Sequence, residues 1–81
     1  MFNTICMLQS ITRENNSTNG NPNYNLVFYD AEAKLGLTLK TENDSMVAYK
    51  ISDTLLNKDC QIWYYYNDKG KAYLKDIDKL D

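Results

Sequence analysis

The stretch that decides the fold is LGLTLKT, residues 35–41. Leu35, Leu37 and Leu39 alternate with small or polar residues, and this period of two gives a β-strand one apolar face. We therefore expect a strand over 35–41 whose three leucines face a hydrophobic core.

The segment before this strand predicts its hairpin partner. Residues 24–29 are rich in aromatic and β-branched side chains, which favour extended backbone. Residues 30–34 lie between the two segments and are few enough to close a hairpin. Leu26 and Phe28 should then face the same core as the leucines.

The first strand is predicted over residues 4–13, although its alternation is imperfect. Cys6 and Leu8 share one parity, whereas the other apolar residues of the segment occupy the opposite parity. A strand buried on both faces, or one that carries a β-bulge, produces this pattern. A helix is the competing prediction, and the β-branched residues together with the following Asn-rich stretch disfavour it.

A short helix is predicted after the hairpin. Residues 43–45 offer side-chain oxygens suited to an N-cap, and the apolar spacing over 45–52 fits a helix of about two turns. Residues 53–59 have the composition of a turn, with Leu55 and Leu56 directed inward.

The C-terminal part predicts a second hairpin. Residues 60–66 (CQIWYYY) have high strand propensity, and the turn at 67–70 places Gly70 in the left-handed position. Alternation resumes at 71–74, with Ala72 and Leu74 inward. The remaining residues either continue this strand or form a terminal turn.

The order of elements is therefore three strands, one short helix and two strands. This order predicts a mainly β protein, a five-stranded OB-like small barrel that forms a single domain over residues 1–81. An SH3-like barrel accommodates the same strands, but the helix is too long for its usual connection. A ferredoxin-like fold requires two full helices and is disfavoured.

Composition excludes several functions. The chain has no His, which removes Ser-His-Asp catalysis and zinc sites that contain His. Only three glycines are present, and they form no phosphate-binding motif. We expect no enzymatic activity, no cofactor and no metal. Nine basic against eleven acidic residues give a net charge of −2, which argues against a strongly basic nucleic-acid clamp.

The cysteines and the hydropathy pattern bear on location. No apolar run approaches the roughly 20 residues of a transmembrane helix, and the first residues do not resemble a signal peptide. We therefore expect a cytoplasmic protein without membrane contact. Cys6 and Cys60 favour reduced thiols within apolar strands, while a disulfide that closes a long loop remains the alternative.

Two features suggest a binding surface. Alternation along the 60–66 strand directs Ile62, Tyr64 and Tyr66 inward, and therefore directs Trp63 and Tyr65 outward. OB-folds bind ligands near the loops that join strands one to two and four to five, here 14–23 and 67–70. The predicted binding residues are Trp63, Tyr65, Tyr73, Lys69, Lys71, Lys75, Asn19, Asn21 and Tyr24.

Exposed rings on a sheet are typical of proteins that stack the bases of single-stranded nucleic acid. We therefore predict a non-enzymatic module that binds single-stranded nucleic acid. The alternative is an interaction protein that binds and modulates a host defence or replication factor, because aromatic side chains also anchor protein interfaces. The abundance of Asn, Lys, Asp and Tyr resembles small proteins encoded by phages and plasmids with AT-rich genomes. Cross-strand packing of the rings, or self-association through them, are the remaining interpretations.

Overall fold

The computed structural model describes residues 1–80, and Asp81 lies outside the described residues. The strands are β1 (Phe2–Glu14), β2 (Asn23–Asp30), β3 (Leu35–Thr41), β4 (Asp59–Tyr66) and β5 (Ala72–Lys79), and two 3-10 helices lie at Met46–Lys50 and Asp53–Leu55. None of the helices in this part of the chain is long and apolar enough to cross a membrane.

The five strands close into a barrel in the order β1-β2-β3-β5-β4. Neighbouring strands are antiparallel except β3 and β5, which run parallel, and β1 closes the barrel by pairing with β4. This arrangement confirms the predicted mainly β fold, a five-stranded barrel of the OB-like type. Closure removes the exposed strand edges that favour aggregation.

A bulge in β1 explains the imperfect alternation of this strand. The register with β2 shifts between Leu8 and Ser10, which leaves Gln9 as the extra residue. Cys6 and Leu8 are buried before the shift, and Ile11 packs against the core after it. The N-terminal half of β1 pairs with β4 and the C-terminal half with β2, so the bulge lets one strand serve both neighbours.

The barrel is filled by aliphatic side chains and one phenylalanine. Phe28 is the largest fully buried side chain, and Leu26 on the same strand is also inaccessible to solvent, as predicted. The buried cluster comprises Cys6, Leu8, Leu26, Phe28, Leu39, Val47, Ile51, Leu55, Cys60, Ile62, Leu74 and Ile77.

The three leucines of β3 are buried to different extents. Leu39 is fully buried and Leu37 packs against the core, but Leu35 is 64% exposed. The alternation is as predicted, whereas the expectation that Leu35 lines the core is wrong. As the first residue of β3, it lies at the strand end beyond the last layer of core side chains.

The predicted helix over 45–52 is a 3-10 helix of five residues. Ser45 is its N-cap, as its Oγ accepts a hydrogen bond from the backbone N–H of Val47 at 3.3 Å. The backbone becomes extended at Ile51, and a second 3-10 turn follows. Because Val47, Ile51 and Leu55 are all buried, two short turns fit these side chains against the barrel where one regular helix was expected.

The second hairpin follows its prediction. Gly70 has a φ of 78°, and its N–H donates to the carbonyl of Asn67 at 3.0 Å. The strand then continues to Lys79, which resolves the alternatives for the C-terminal residues in favour of a strand. The register shift opposite Trp63 makes Lys75 a bulge residue.

Cys6 and Cys60 lie directly opposite each other in the β1–β4 ladder. Both are buried and both are free thiols, which agrees with reduced core cysteines. Burial raises the pKa of the Cys6 thiol to about 12, with a further contribution from Cys60, and burial also raises the pKa of Cys60.

Candidate binding surface

A row of side chains crosses four strands on the outside of the barrel. In the strand register Asn25 on β2 opposes Lys40 on β3, Lys40 opposes Tyr73 on β5, and Tyr73 opposes Tyr65 on β4. Apart from Tyr66, which follows Tyr65 and is exposed, the chain neighbours of these residues are buried or packed on the core, so the four side chains face outward. We call Asn25, Lys40, Tyr73 and Tyr65 the outer row.

Two rings of the outer row stack on each other. The centroids of Tyr65 and Tyr73 are 5.9 Å apart, and the ring planes differ by 24°. Trp63 shares the outer face of β4 two residues before Tyr65, but it is flanked by Asn3 and Asp76 instead of by another ring. The structure therefore brings the predicted residues Tyr65 and Tyr73 into contact and sets Trp63 apart.

The predicted lysines are close to Tyr73 in the chain, Lys69 and Lys71 before it and Lys75 after it. Lys69 and Lys71 belong to the β4–β5 turn, where both backbone N–H groups donate to Oδ1 of Asn67 at 2.9 Å. Lys75 is exposed at the bulge of β5. Within residues 1–80 none of these three ammonium groups forms a salt bridge, so all three are available for phosphate.

A pocket of about 240 Å³ adjoins the outer row. We call it the loop pocket, and its lining residues are Glu14, Asn23, Tyr24, Lys40, Thr41, Asn43 and Tyr73. It therefore joins the predicted residues Tyr24 and Tyr73, which are far apart in sequence. The Arg13 guanidinium lies 5.4 Å from the centroid of the Tyr24 ring, and the Tyr24 N–H donates to Oγ1 of Thr41 at 2.9 Å.

The Asn-rich loop between β1 and β2 is organised around Asp44. This carboxylate accepts hydrogen bonds from the Ser17 hydroxyl at 2.6 Å, the Asn21 amide at 2.6 Å and the Asn19 amide at 2.9 Å. These three hydrogen bonds lower the pKa of Asp44 below its ordinary value of 3.8. Tyr49 also donates to Oδ1 of Asn21. The predicted residues Asn19 and Asn21 thus hold the loop against the chain after β3.

The carboxylates of β5 hold the first 3-10 helix in place. The Lys50 ammonium donates to Asp76 at 2.7 Å, to Asp78 at 3.3 Å and to the carbonyl of Ile77 at 3.1 Å. The hydrogen bond from Lys50 to Asp76 raises the pKa of Lys50 and lowers the pKa of Asp76. Asp76 and Asp78 lie two residues apart on β5, the spacing that would place a general acid and base on one face. Both carboxylates instead bind Lys50 and so join β5 to the first 3-10 helix.

A second aromatic cluster lies at one end of the barrel. The Phe2 and Tyr64 rings stack with centroids 5.3 Å apart, and Tyr66 meets both rings edge-on. Tyr66 is 50% exposed, so the expectation that it points into the core is wrong, although Tyr64 does pack against the core. Tyr64, Tyr66, Leu35 and Leu37 line a pocket of about 240 Å³, together with Thr4, Asp30 and Gly36. We call Phe2, Tyr64, Tyr66, Leu35 and Leu37 the apolar mouth.

Several residues of the surface were not among those predicted. Lys40 follows Leu39 in the clearest alternating strand, so its outward direction was readable in the sequence. Glu14 and Asn43 had no such signal, because their positions depend on strand pairing and on the path of the loops. Within residues 1–80 there is no group of three or more cysteine, aspartate or glutamate side chains that could hold a metal ion.

Comparisons of the chain with protein-family models, with curated proteins and with solved structures gave no match. The candidate surface is therefore argued from its own geometry.

Proposed function

We propose that this chain is a non-enzymatic, cytoplasmic module that binds single-stranded nucleic acid across the outer row. The observation that carries the proposal is the Tyr65–Tyr73 stack, which lies on the outside of the barrel beside Lys40. OB-type barrels use their outer sheet face and adjoining loops to hold such ligands. Tyrosine rings accept bases of any kind, because every base has a π-face.

The geometry of the stack favours base binding through preorganisation. Each ring supports the other, so little side-chain freedom is lost when a base stacks on the exposed face. The Lys40 ammonium is next to Tyr73, and Lys71 lies two residues before Tyr73 in the chain. Lys69 and Lys71 of the β4–β5 turn suit the phosphates beside a stacked base, whereas Lys40 faces Glu14 in the adjoining loop pocket.

Binding of this kind should depend only moderately on salt. The chain carries a net charge of −2, and few lysines surround the outer row. If about three phosphates are neutralised, the logarithm of the affinity should fall by about 2 per tenfold rise in salt, at roughly 0.7 per phosphate for single strands.

The test is fluorescence anisotropy with a labelled mixed-sequence strand of about 12 nucleotides, within the range that OB-folds cover. Replacing Tyr65 or Tyr73 by Leu should weaken binding about 5- to 150-fold, the equivalent of roughly 1–3 kcal/mol per stacked base. Tyr66→Leu is the matched control, because this tyrosine on the same strand belongs to the apolar mouth. Absence of binding at low salt, or an equal loss in the control, refutes the proposal.

One observation favours a second candidate function, that of an interaction protein from a phage or plasmid that binds a host protein. Phe2 is 53% exposed and Leu35 is 64% exposed, and together with Tyr66 they leave apolar surface open at the mouth. The discriminating experiment is cross-linking in extracts of candidate host cells, followed by mass spectrometry. Leu35→Ser should abolish a specific cross-link while Tyr73→Ser preserves it; the reverse pattern excludes the mouth as the contact.

A further inference from the structure

We infer that the loop pocket reads the base itself and selects cytosine over thymine. The inference rests on the proposed function, since it concerns a base bound beside the outer row. The exocyclic amine at position 4 of cytosine is a hydrogen-bond donor, whereas thymine presents a carbonyl oxygen, an acceptor, at the same place. A pocket that offers acceptors therefore separates these two pyrimidines, which are similar in size.

Glu14 is the main acceptor of the loop pocket. It opposes Asn23 in the β1–β2 ladder, and its side chain is 41% exposed. Its Oε1 lies 4.0 Å from the Lys40 ammonium, too far for a hydrogen bond, so the carboxylate keeps lone pairs for a ligand. Carboxylates accept hydrogen bonds from the cytosine amine, and they repel the carbonyl oxygen of thymine.

Asn23 lies beside Glu14 in the wall of the loop pocket, and its amide is held in place. Its amide nitrogen donates to Oδ1 of Asn43 at 2.6 Å and to the backbone carbonyl of Asn15 at 3.3 Å. Because a backbone carbonyl only accepts hydrogen bonds, the contact with Asn15 identifies the Asn23 amide nitrogen and places Oδ1 on the other side. The remaining Oδ1 is buried without a hydrogen-bond partner, as is Oδ1 of Asn25 two residues further along β2. Neither oxygen is accessible to solvent, so Glu14 is the acceptor on this wall that a base in the pocket can reach.

The other walls suit a base more than a phosphate. Tyr73 and Tyr24 both line the pocket, and the Arg13 guanidinium lies 5.4 Å from the centroid of the Tyr24 ring. Lys40 is the single cation among the lining residues, and it faces the Glu14 carboxylate. A phosphate here would meet that carboxylate, whereas a base amine is attracted by it.

The experiment compares labelled dC12 and dT12 in anisotropy titrations at pH 7.5, with the ratio of the two affinities as the readout. We expect dC12 to bind about 5- to 150-fold more tightly, the range for one well-placed base contact. Glu14→Gln should bring the ratio close to one, because the glutamine amide presents either a donor or an acceptor.

Glu32→Gln is the matched control, since it removes one negative charge from the exposed turn between β2 and β3. A charge effect alone would raise both affinities in either variant and leave the ratio unchanged. Equal affinities for dC12 and dT12 would overturn the inference and leave the proposed function standing. A preference that survives Glu14→Gln would also overturn it. Absence of binding to dC12, dT12 and the mixed strand alike would refute the proposed function itself.

Discussion

The two aromatic clusters of the barrel come from one stretch of β4, yet they lie in different surroundings. Tyr65 faces outward and stacks on Tyr73, which in turn opposes Lys40 in the β3–β5 pairing. Its neighbour Tyr66 points to the opposite side and meets Phe2 at the apolar mouth. Alternation along one strand therefore supplies both clusters.

Tyr65 and Tyr66 are residues of the same type, so the difference between the two clusters comes from the side chains around each ring. The outer row combines two stacked rings with one lysine and one asparagine, the combination on which the proposed binding of bases depends. The apolar mouth combines rings with leucines, which suits an apolar side chain of a protein partner. The comparison depends on the two faces of β4 being distinct, and four measurements test it.

The largest effect is expected from Ile62, the fully buried residue that fixes which side of β4 faces inward. Ile62→Ala should reduce the free energy of unfolding by about 2–5 kcal/mol, through lost burial and the cavity left behind. Urea denaturation measures the loss. Thr38→Ala, on the exposed face of β3, should change stability by less than about 0.5 kcal/mol. Equal effects would mean that the two faces are not distinct.

The second measurement uses the thiol of Cys60, which shares the inner face with Ile62. Burial raises the thiol pKa values, to about 12 for Cys6, so iodoacetamide should label the native protein far more slowly than the urea-unfolded protein at pH 8. An unfolded thiol ionises near its ordinary pKa of 9.0, before the folded one. Stability should therefore fall as pH rises from 9.0 towards about 12. Rapid labelling of the native protein would place the thiols outside the core.

A smaller effect is expected from the stack itself. A double-mutant cycle of Tyr65→Ala and Tyr73→Ala should give a coupling of about 0.5–1.5 kcal/mol in unfolding free energy. The same cycle with Tyr65 and Tyr29, on β2, should give no coupling, since these residues are not stacked. A coupling indistinguishable from this control would show that the rings do not support each other in solution.

The smallest effect concerns the loop that borders the outer surface. Hydrogen bonds from the loop lower the pKa of Asp44, so their contribution is present above its ordinary value of 3.8 and is lost as pH falls through the lower folded value. The hydrogen-exchange protection factor of Asn21, whose N–H donates to Oγ of Ser17, should fall in acid after correction for the slower intrinsic exchange there. Asp44→Asn keeps a side chain that tolerates the φ of 61° and removes this titration. An identical acid response in that variant would assign the change to another group.

The fold was predictable where neighbouring residues alone decide the structure. The bounds of β3, the burial of Leu26 and Phe28 and the positive φ of Gly70 follow from period-two alternation and turn chemistry. The 3-10 form of the first helix did not follow, because propensity does not determine which side chains must reach the barrel. Leu35 has the sequence spacing of a core residue. Its exposure follows from where the core ends along β3, which the sequence pattern does not specify.

The candidate surface was predictable only in part, for a related reason. The outward direction of Tyr65 and Tyr73 followed from alternation, but their distance from Lys40 depends on the parallel pairing of β3 with β5. That pairing joins segments about thirty positions apart, and no local pattern specifies it. The sequence did not indicate that Asp44 anchors the β1–β2 loop either, because its partners Ser17 and Asn21 are far from it in the chain.

The shared use of β1 by two neighbours has a consequence for how the chain reaches its folded state. The β2–β3 hairpin joins adjacent segments, whereas Cys6 meets Cys60 only after the intervening chain has been ordered. Pairings between distant segments slow the search for the native arrangement. We expect the hairpin to form early and the seam between β1 and β4 to close last.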